Sequence, residues 1–442
     1  MKTILYLHAG AEMYGADKIL LELVSGLDKT KFRPIVILPT DGVLRKKLEE
    51  ENIFVHVISY PVLRRKYFNP KGIADYISNY KSKSDDIIKF LDKNDIKIDL
   101  IHVNTLAVLE GIRLKNKLDI PLYWHIHEII THPKLINKFL CWCVNHYADR
   151  AIVVSGPVKQ HLINSGVNAN KIKVIHNGID SDIFSPKVKS NYLYKEWNIP
   201  QNTIKVGMIG RVNNWKGQED FLDSLAPLLN EFDNLYLFIV GSAFKGQEWR
   251  IDDLKRKIKY LPHNNRIIFS EFRKDNYAVE HFFDILILPS TSPDPLPTVV
   301  LETMGCGRAV LGYAHGGITE MVKNQYNGEL VSPLDKKALR KAVEKGRRRK
   351  KEKEGGEKER KRGREKGEGE KGRKKGEKRE KGERGEEKKG EREKEEGRKR
   401  KERGREGRGK RGKGEKRKGE EEEGRGGKNI WSSCTNDSSR WR

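Results

Sequence analysis

Cysteine is scarce in this chain, and long apolar runs are missing. Only four cysteines occur in 442 residues, Cys141, Cys143, Cys306 and Cys434. Their number and spacing form neither a disulfide framework nor a zinc site, and they fit a protein of the reducing cytosol. No apolar run is long enough to cross a bilayer, and the run at residues 4–7 is too short for a signal peptide. The sequence therefore predicts a cytoplasmic protein without a membrane span.

The C-terminal part of the chain lacks apolar side chains almost entirely. From residue 344 to residue 428 every residue is Lys, Arg, Glu or Gly, so we expect this stretch to be disordered. Purine-only codons encode the same four amino acids, so a polypurine tract read in error is an alternative origin. Residues 344–442 hold 42 Lys and Arg against 25 Glu and Asp, which is +17 of the net charge of +26 and leaves +9 for the rest. A mildly basic body favours anionic substrates and peripheral contact with an anionic membrane surface.

Strand-like and helix-like segments alternate through residues 1–343. The apolar runs that we interpret as strands are residues 4–7, 34–38, 54–58, 100–103, 122–124, 151–154, 173–175, 204–209, 235–240, 266–269 and 285–288. The helices predicted between them include residues 17–27, 44–51, 73–91 and 106–115. Alternation at this spacing predicts right-handed βαβ units and parallel sheets. We predict an α/β protein with two such domains, residues 1–184 and 204–343, joined by a polar linker at 185–203 and followed by the tail at 344–442.

Two carboxylates stand eight residues apart in the second predicted domain, at Asp294 and Glu302. Asp294 lies in a proline-rich loop, and Pro297 followed by an apolar run predicts the start of a buried helix that holds Glu302. A further short strand leads to a turn at Gly316 and Gly317. Because such elements converge at the carboxyl ends of parallel strands, we expect them to line a nucleotide-sugar crevice. The alternative is a capped helix with two solvated acids.

Two basic side chains, Arg211 and Lys216, follow the predicted strand at 204–209. Arginine offers a planar fork that bridges phosphate oxygens, and lysine offers a movable point charge. Together they can neutralise a leaving nucleoside diphosphate where another fold would use a metal ion. The alternative is a solvated basic loop.

These motifs resemble those of the retaining glycosyltransferases of family four, which have the GT-B fold of two Rossmann-like domains facing a crevice. The resemblance rests on the acidic pair, on the Gly-Gly-x-x-Glu run after it, and on Gly-Arg followed by Lys-Gly, and it covers residues 1–343. Asp294 stands where many members have Glu. His176 stands where Pro is frequent, in a run that ends at Asp180. Family members continue with helices that complete the second domain, so the resemblance implies that this domain is truncated here.

The resemblance implies a role for each charged residue of the second domain. Arg211 and Lys216 would bind the diphosphate and stabilise its developing charge. Glu302 would hold the ribose hydroxyls, and Asp294 would contact the donor sugar. Arg211, Lys216 and Asp294 are therefore candidate catalytic residues as well as candidate donor-binding residues.

Four further positions receive a role from the same resemblance. Backbone N–H groups near Leu296 and Thr298 would lie close to the sugar and the phosphate, and Gly15 would let the first domain approach the donor. His127, at the end of a predicted strand, would face the transferred sugar as the fourth candidate catalytic residue. His125 points to the same side at period two. From the residues alone, a histidine in an apolar strand is more often a core residue whose hydrogen bonds are made within the protein than a ligand-binding residue.

The predicted function is transfer of a hexosyl unit from a nucleoside-diphosphate sugar to a hydroxyl acceptor, with retention at the anomeric carbon. The acceptor would be a glycan or a lipid-linked saccharide of a bacterial cell surface. No metal ion and no other cofactor is expected, because Arg211, Lys216 and helix N-termini already supply positive charge. One alternative is a nucleotide-sugar 2-epimerase of the same fold. Another is a nucleic-acid-binding protein, although interleaved Glu and the lack of aromatic residues in the tail argue against it.

Overall fold

The computed structural model describes residues 1–13 and 15–347 together with Arg392. Residues 1–344 form one compact unit, and the residues after 344 are not part of it. The predictions of a disordered tail, of a misread tract and of a truncated second domain concern residues 344–442. Apart from residues 344–347 and Arg392, residues 344–442 lie outside the part of the chain that the structure describes.

Seven parallel strands form the first sheet, in the order β3-β2-β1-β4-β5-β6-β7. Its strands are β1 (Lys2–Leu7), β2 (Phe32–Leu38), β3 (Phe54–Val57), β4 (Leu100–Val103), β5 (Leu122–Ile126), β6 (Arg150–Val153) and β7 (Ile172–Val174). Its helices are α1 (Gly15–Ser25), α2 (Val43–Glu50), α3 (Pro70–Lys93), α4 (Glu110–Leu118), α5 (Lys134–Tyr147) and α6 (Gly156–Asn164). The strand order reverses between β1 and β4, and ligands of such sheets bind outside the carboxyl ends of the strands at this point.

Six parallel strands form the second sheet, in the order β10-β9-β8-β11-β12-β13. Its strands are β8 (Ile204–Ile209), β9 (Leu235–Val240), β10 (Ile267–Ser270), β11 (Ile285–Leu288), β12 (Ala309–Tyr313) and β13 (Gly328–Val331). Its helices are α7 (Tyr192–Glu196), α8 (Gln218–Leu225), α9 (Trp249–Lys259), α10 (Asn276–Phe282), α11 (Thr298–Gly305) and α12 (Ile318–Met321), and residues 336–347 are also helical. The order reverses between β8 and β11, as it does in the first sheet.

The predicted α/β fold with two Rossmann-like parallel-sheet domains is confirmed. Strands β8, β9 and β11 have the predicted bounds, because a strand that is covered on both faces is one continuous apolar run with polar residues at its ends. The start of α3 follows the same logic. Asn69 caps the helix by accepting a hydrogen bond from the Gly72 N–H at 2.9 Å, and Pro70 occupies the first position, where a missing N–H costs nothing.

Helix α4 begins at Glu110 and not at the predicted residue 106. The intervening residues make competing bonds. The Thr105 hydroxyl accepts from the Ala107 N–H at 3.2 Å, and the Leu106 N–H donates to the Glu128 carboxylate at 3.3 Å. Side-chain acceptors of this kind offer the backbone an alternative to the helix, so apolar periodicity alone placed the start too early.

Residues 185–203, predicted as a polar linker, are in large part packed onto the second sheet. They contain α7, whose Leu193 is fully buried. The Trp197 ring lies 5.1 Å from the Phe238 ring and 5.4 Å from the Phe282 ring, between centroids. The polar composition predicted an interdomain linker, and a few apolar residues within it pack this segment against the second domain.

No helix among the described residues is both long enough and apolar enough to cross a lipid bilayer.

Candidate functional site

The loops that follow β8 and β11 meet at the carboxyl ends of these strands. The Lys216 ammonium donates to the Asp294 carboxylate, and the Thr291 N–H donates to the Trp215 carbonyl at 2.7 Å. The Lys216 and Asp294 side chains are only 18% and 9% exposed. A charge that is this far removed from water needs a partner of opposite sign. The ion pair therefore holds the two predicted motifs together.

The loop around Lys216 is shaped by Asn213 and Gly217. The Asn213 side-chain oxygen accepts from the N–H groups of Trp215 and Lys216 at 3.0 and 2.8 Å, which is an Asx turn. Gly217 has a φ of +84°, and a Cβ atom there would lie 1.8 Å from the Pro289 carbonyl oxygen. Only glycine fits this position, and α8 begins directly after it.

Arg211 is oriented by an aromatic ring that sequence reasoning missed. Its guanidinium carbon lies 3.5 Å from the centroid of the Phe244 ring, within the range of a cation–π contact. Its carbonyl accepts from the Gln218 side chain at 2.9 Å. Phe244 lies in the loop directly after β9, at the same sheet edge as Arg211. An aromatic residue in that loop was the sequence feature that could have predicted this contact.

The glycine pair at 316–317 lets a third loop reach Asp294. The Gly317 N–H donates to the Asp294 carbonyl at 2.7 Å. A Cβ atom at Gly316 would lie 2.3 Å from the carbonyl oxygen of Asp294, and one at Gly317 would lie 2.3 Å from that of Pro295. Gly316 also has a φ of +71°, a value that suits glycine. The predicted turn therefore presses against the backbone that leads to Leu296.

Glu302 lies inside α11, as predicted, and has a second carboxyl group beside it. Glu280 of α10 is fully buried. Among the described residues neither of its carboxyl oxygens has a hydrogen-bond partner. Burial raises the pKa of Glu280 well above its ordinary value, and repulsion from Glu302 acts in the same direction. Glu280 is therefore a buried carboxyl group that keeps its proton beside Glu302.

Helix α1 of the first domain contributes charges near the same pair. Burial raises the pKa of Glu22, and repulsion from Glu302 and Asp180 adds to the rise while Lys18 opposes it. Glu302 therefore lies within electrostatic reach of both domains. Glu280 and Glu22 were not candidates in the sequence, because a single acid on a helix carries no motif.

His127 belongs to a hydrogen-bond chain at the carboxyl ends of β1, β4 and β5. Its Nε2 bonds to the Asn104 side-chain oxygen at 3.0 Å. The Asn104 amide nitrogen contacts His8 Nδ1 at 3.1 Å and donates to the Ala16 carbonyl at 3.3 Å, and His8 Nε2 contacts Asp17 at 2.5 Å. Because a carbonyl can only accept, the Ala16 contact fixes the orientation of the Asn104 amide. His127 then carries its proton on Nε2, and its Nδ1 is an acceptor.

Two further histidines pack behind His127. The ring centroids of His125 and His127 are 4.1 Å apart, and those of His102 and His125 are 5.5 Å apart. Burial lowers the pKa of His102 to about 3 and that of His125 to about 4, and it lowers the pKa of His127 well below its usual range. His125 is buried, whereas His127 is partly exposed. The geometry thus distinguishes the two histidines that the sequence left at the same face.

The remaining predicted positions lie at helix starts or beside the acidic pair. Gly15 is the first residue of α1, and a Cβ atom there would meet nothing within 4 Å. Thr298 is the first residue of α11, where backbone N–H groups have no partner within the helix. Leu296 is 7% exposed and packs into the core of the first domain.

Contacts between the two domains run through the same loops. The Ser155 hydroxyl donates to the Pro295 carbonyl at 2.6 Å. The Glu320 carboxylate accepts from the Gly156 N–H with both oxygens at 3.0 Å and lies 3.0 Å from His176 Nε2. Gly156 is the first residue of α6, where a negative charge is favoured.

The structure brings Lys216 and Asp294 into direct contact. Arg211 lies in the same loop as Lys216, and Glu302 lies in helix α11, which follows the loop of Asp294. The hydrogen bonds of His127 among the described residues are to groups of the first domain. Within the part of the chain that the structure describes, no three His, Cys, Asp or Glu side chains are grouped to hold a metal ion.

Two parallel-sheet domains with these loops at their carboxyl edges have the architecture of the GT-B fold. Two family models match the chain, "Glycosyltransferase Family 4" over residues 13–183 and "Glycosyl transferases group 1" over residues 192–365. The chain therefore belongs to the family-four, group 1 glycosyltransferases.

Individual proteins agree with this assignment. An uncharacterised glycosyltransferase of Methanocaldococcus jannaschii is 27% identical over 262 residues, 58% of this chain and 59% of that one. The lipopolysaccharide 1,2-N-acetylglucosaminetransferase of Salmonella typhimurium is 20% identical over 300 residues, 65% and 73% of the two chains. The crystal structure of Anabaena Alr3699/HepE with UDP is similar at a TM-score of 0.66 and 25% identity, covering 78% of this chain and 89% of that one. The chain spans less than two thirds of the length of the archaeal relative.

Proposed function

We propose that this protein transfers a hexosyl unit from a nucleoside-diphosphate sugar to a hydroxyl acceptor, with retention at the anomeric carbon. One observation carries the proposal, namely that Lys216 and Asp294 pair at the carboxyl edge of the second sheet beside Arg211. Positive and negative groups in one place can bind a diphosphate and the hydroxyls of its sugar at the same time. The Anabaena protein has been crystallised with UDP-glucose, which supports a donor of this class.

The donor diphosphate would replace part of the contact between Lys216 and Asp294. Lys216 and Arg211 would then bind phosphate oxygens, and Asp294 would turn to the sugar hydroxyls. During transfer the bond between the anomeric carbon and the phosphate oxygen breaks, and its electron pair leaves with the nucleoside diphosphate. The acceptor oxygen bonds to the same face of the carbon, and its proton passes to the leaving phosphate oxygen. Fixed positive charge near that oxygen stabilises the transition state.

Glu302 would accept hydrogen bonds from the ribose hydroxyls, beside the neutral carboxyl group of Glu280. N–H groups near Leu296 and Thr298 would contact the phosphate or the sugar, and helix starts of this kind favour anions. His127 would accept a hydrogen bond from the transferred sugar. Gly15 would leave room for the donor between the domains.

We also propose that turnover needs no divalent metal ion, because Arg211, Lys216 and the N-terminus of α11 supply the positive field. The full chain is assayed with EDTA and then with added Mg²⁺ or Mn²⁺. We expect an unchanged rate. Loss in EDTA that either ion restores would contradict the proposal.

The acceptor class proposed is a glycan or a lipid-linked saccharide of a bacterial cell surface, reached through peripheral contact with an anionic membrane. The similarity to a Salmonella lipopolysaccharide transferase supports this class. The deciding experiment incubates the full chain with radiolabelled UDP- and GDP-sugars, with and without acceptor saccharides. Transfer or donor hydrolysis is expected, and the anomeric configuration of the product is read by NMR. Isomerised donor without release of nucleoside diphosphate would favour the epimerase and overturn the transferase.

A further inference from the structure

The first domain contains an apolar cavity away from the candidate donor site. Its volume is about 580 Å³, and it lies among α3, α4, α5 and the short 3₁₀ turn Arg65–Tyr67. Its walls are aliphatic and aromatic, with Leu63, Tyr76, Ile77, Ile112, Phe139 and Trp142 among them. Small-molecule sites have volumes of roughly 300–1,000 Å³. The cavity is thus large enough for a ligand and offers it almost only apolar surface.

The mouth of this cavity is edged by apolar side chains that face solvent. On α5, Leu135, Phe139 and Trp142 are 79%, 46% and 52% exposed, and their spacing places them on one helix face. Ile73 and Ile77 of α3 are 51% and 48% exposed. The opposite face of α5 is buried in the core. Helix α5 therefore has a second apolar face that is not needed to hold the domain together.

Basic residues surround the same mouth. The segments 63–77 and 134–147 contain a single acidic residue, Asp75. Their basic residues, all exposed, are Arg64, Arg65, Lys66, Lys71, Lys134 and Lys138. The Lys66 ammonium lies 4.9 Å from the centroid of the Tyr67 ring, which lines the cavity. An apolar cavity with tryptophan and lysine at its edge is complementary to a lipid with a negatively charged headgroup.

One polar group inside the cavity also lacks a partner. Tyr76 lines the wall and is 93% buried, since only 7% of its surface is exposed. Among the described residues nothing hydrogen-bonds to its hydroxyl. A buried hydroxyl without a partner costs free energy, and an ester or phosphate oxygen of a lipid could accept from it.

The cavity adjoins the loops of the candidate active site. The Leu63 N–H donates to the Ala107 carbonyl at 2.8 Å, and the Arg64 guanidinium donates to the Ala9 carbonyl at 3.3 Å. Ala9 lies in the loop between β1 and α1, and Ala107 lies in the loop after β4. A lipid in the cavity would hold the bilayer surface near the edge of the first sheet at which an acceptor must arrive.

We propose that this cavity is a lipid-binding site, which takes one hydrocarbon chain of an anionic bilayer lipid and holds its phosphate against Arg64, Arg65 and Lys66. The proposal rests on the membrane contact in the proposed function and assigns that contact to a surface. Phe139 and Trp142 enter the interfacial layer of the bilayer, and the basic residues of α5 contact neighbouring headgroups. Aromatic side chains of this kind favour the membrane–water interface.

Simple co-sedimentation with vesicles would not test this site, because residues 344–442 carry a net charge of +17, and such a charge is attracted to anionic surfaces whether or not the cavity is used. The experiment therefore measures tryptophan fluorescence in the full chain with Trp431→Phe and Trp441→Phe, which remove the two tryptophans of the tail. Vesicles contain phosphatidylglycerol and phosphatidylcholine whose acyl chains carry bromine, which quenches tryptophan only at close range. We expect quenching in this protein and the loss of most of it when Trp142→Phe is added. Trp249→Phe is the matched control, because Trp249 is 54% exposed but lies on α9 of the other domain.

A second pair of variants measures affinity at raised salt, which screens the tail. Phe139→Ser is expected to weaken vesicle binding about tenfold, since a large apolar side chain no longer inserts. Tyr260→Ser, which removes an aromatic ring that is 78% exposed, should have no effect. Vesicle-bound protein with unquenched Trp142 would overturn the proposal, as would equal affinity of Phe139→Ser. Equal quenching by vesicles of phosphatidylcholine alone would overturn the headgroup assignment. Lipid-independent dimers that Phe139→Ser abolishes would show that a second copy covers this face.

UDP binding is measured by calorimetry on the same preparations. Protein that binds lipid but no nucleoside diphosphate would contradict the proposed transferase and leave the lipid site intact. Protein that binds UDP but keeps Trp142 unquenched would contradict the lipid site and leave the proposed transferase intact.

Discussion

Lys216 and Asp294 stand 78 positions apart in the chain and form a largely buried ion pair where the loops after β8 and β11 meet. Each side chain is the partner that keeps the other's charge stable away from water. Both are also candidate contacts of the donor. A single substitution at either position therefore acts on stability and on chemistry together, and the two effects must be measured separately.

Lys216→Ala is expected to reduce turnover more than about a hundredfold, because one fixed charge on a developing oxyanion is worth about 3 kcal/mol. It should also lower the melting temperature, since Asp294 loses its partner. Lys205→Ala is the matched control. Lys205 pairs with Asp284 at 3.2 Å, with side chains 7% and 9% exposed in the same domain. This variant should lose stability and keep its turnover, and a comparable loss of turnover in both variants would remove Lys216 from the site.

Arg211→Ala should reduce kcat/KM for the donor with little change in melting temperature, because its contact with Phe244 lies in a partly exposed loop. Arg250→Ala removes an equivalent contact, in which the guanidinium carbon lies 4.4 Å from the Trp249 ring centroid, and it should leave kinetics unchanged. Steady-state kinetics with the donor found in the screen compares the two. Near-normal kcat/KM in Arg211→Ala would contradict its assignment to the diphosphate.

Glu302→Ala is expected to weaken UDP or GDP binding about tenfold or more, since hydrogen bonds to a charged group are worth roughly 1.5–3 kcal/mol. Calorimetry measures the affinity directly. Glu271→Ala removes an exposed carboxylate of the same domain and should not change it. A full-strength isotherm for Glu302→Ala would show that ribose is bound elsewhere.

Glu280→Gln should make nucleotide affinity less dependent on pH. In the wild type Glu280 is neutral beside Glu302 and gains a negative charge as the pH rises through its raised pKa. Two adjacent negative charges then repel each other, with Glu22 and Asp180 adding to the repulsion and Lys18 opposing it. The glutamine amide stays neutral at every pH. We expect wild-type affinity to fall with rising pH and the variant's affinity to stay level, whereas parallel pH profiles would contradict the raised pKa of Glu280.

The buried carboxyl of Glu110 is expected to make the unfolding free energy depend on pH, independently of the donor site. This residue is fully buried, and burial raises the pKa of its carboxyl from 4.5 to about 8. Its contribution to the unfolding free energy is complete at a pH below the pKa that Glu110 has in the unfolded chain. The contribution is lost as the pH rises through the folded-state pKa of about 8. At about 1.4 kcal/mol per pKa unit the full change is several kcal/mol. Glu110→Gln should flatten the pH profile of the unfolding free energy, whereas the exposed Glu219→Gln should not.

Features that depend on a continuous stretch of sequence, such as an apolar strand or a short motif, could be predicted from the sequence. Strands β8 and β11 were found because buried parallel strands are uninterrupted apolar runs. Arg211, Lys216, Asp294 and Glu302 were found because their motifs resemble those of family four. The roles assigned to these residues remain predictions.

Residues whose properties arise from tertiary packing could not be predicted. Glu280 is an ordinary helix acid in sequence, and only its burial beside Glu302 raises its pKa. His125 and His127 have the same periodicity, and the contact of His127 with Asn104, 23 positions away, distinguishes them. The start of α4 was misplaced because the Thr105 and Glu128 side chains compete for its backbone.

His102, His125 and His127 set the polarity of the surface that the first domain presents at its strand ends. With Nε2–H committed to Asn104 and protonation suppressed by burial, His127 has only a lone pair on Nδ1 to offer. A hydroxyl that meets this ring must give its hydrogen, and a carbonyl or ether oxygen in the same place would find no donor. If the donor sugar meets this ring as proposed, free sugar hydroxyls are favoured over their methylated or oxidised counterparts, because only a hydroxyl can donate to Nδ1.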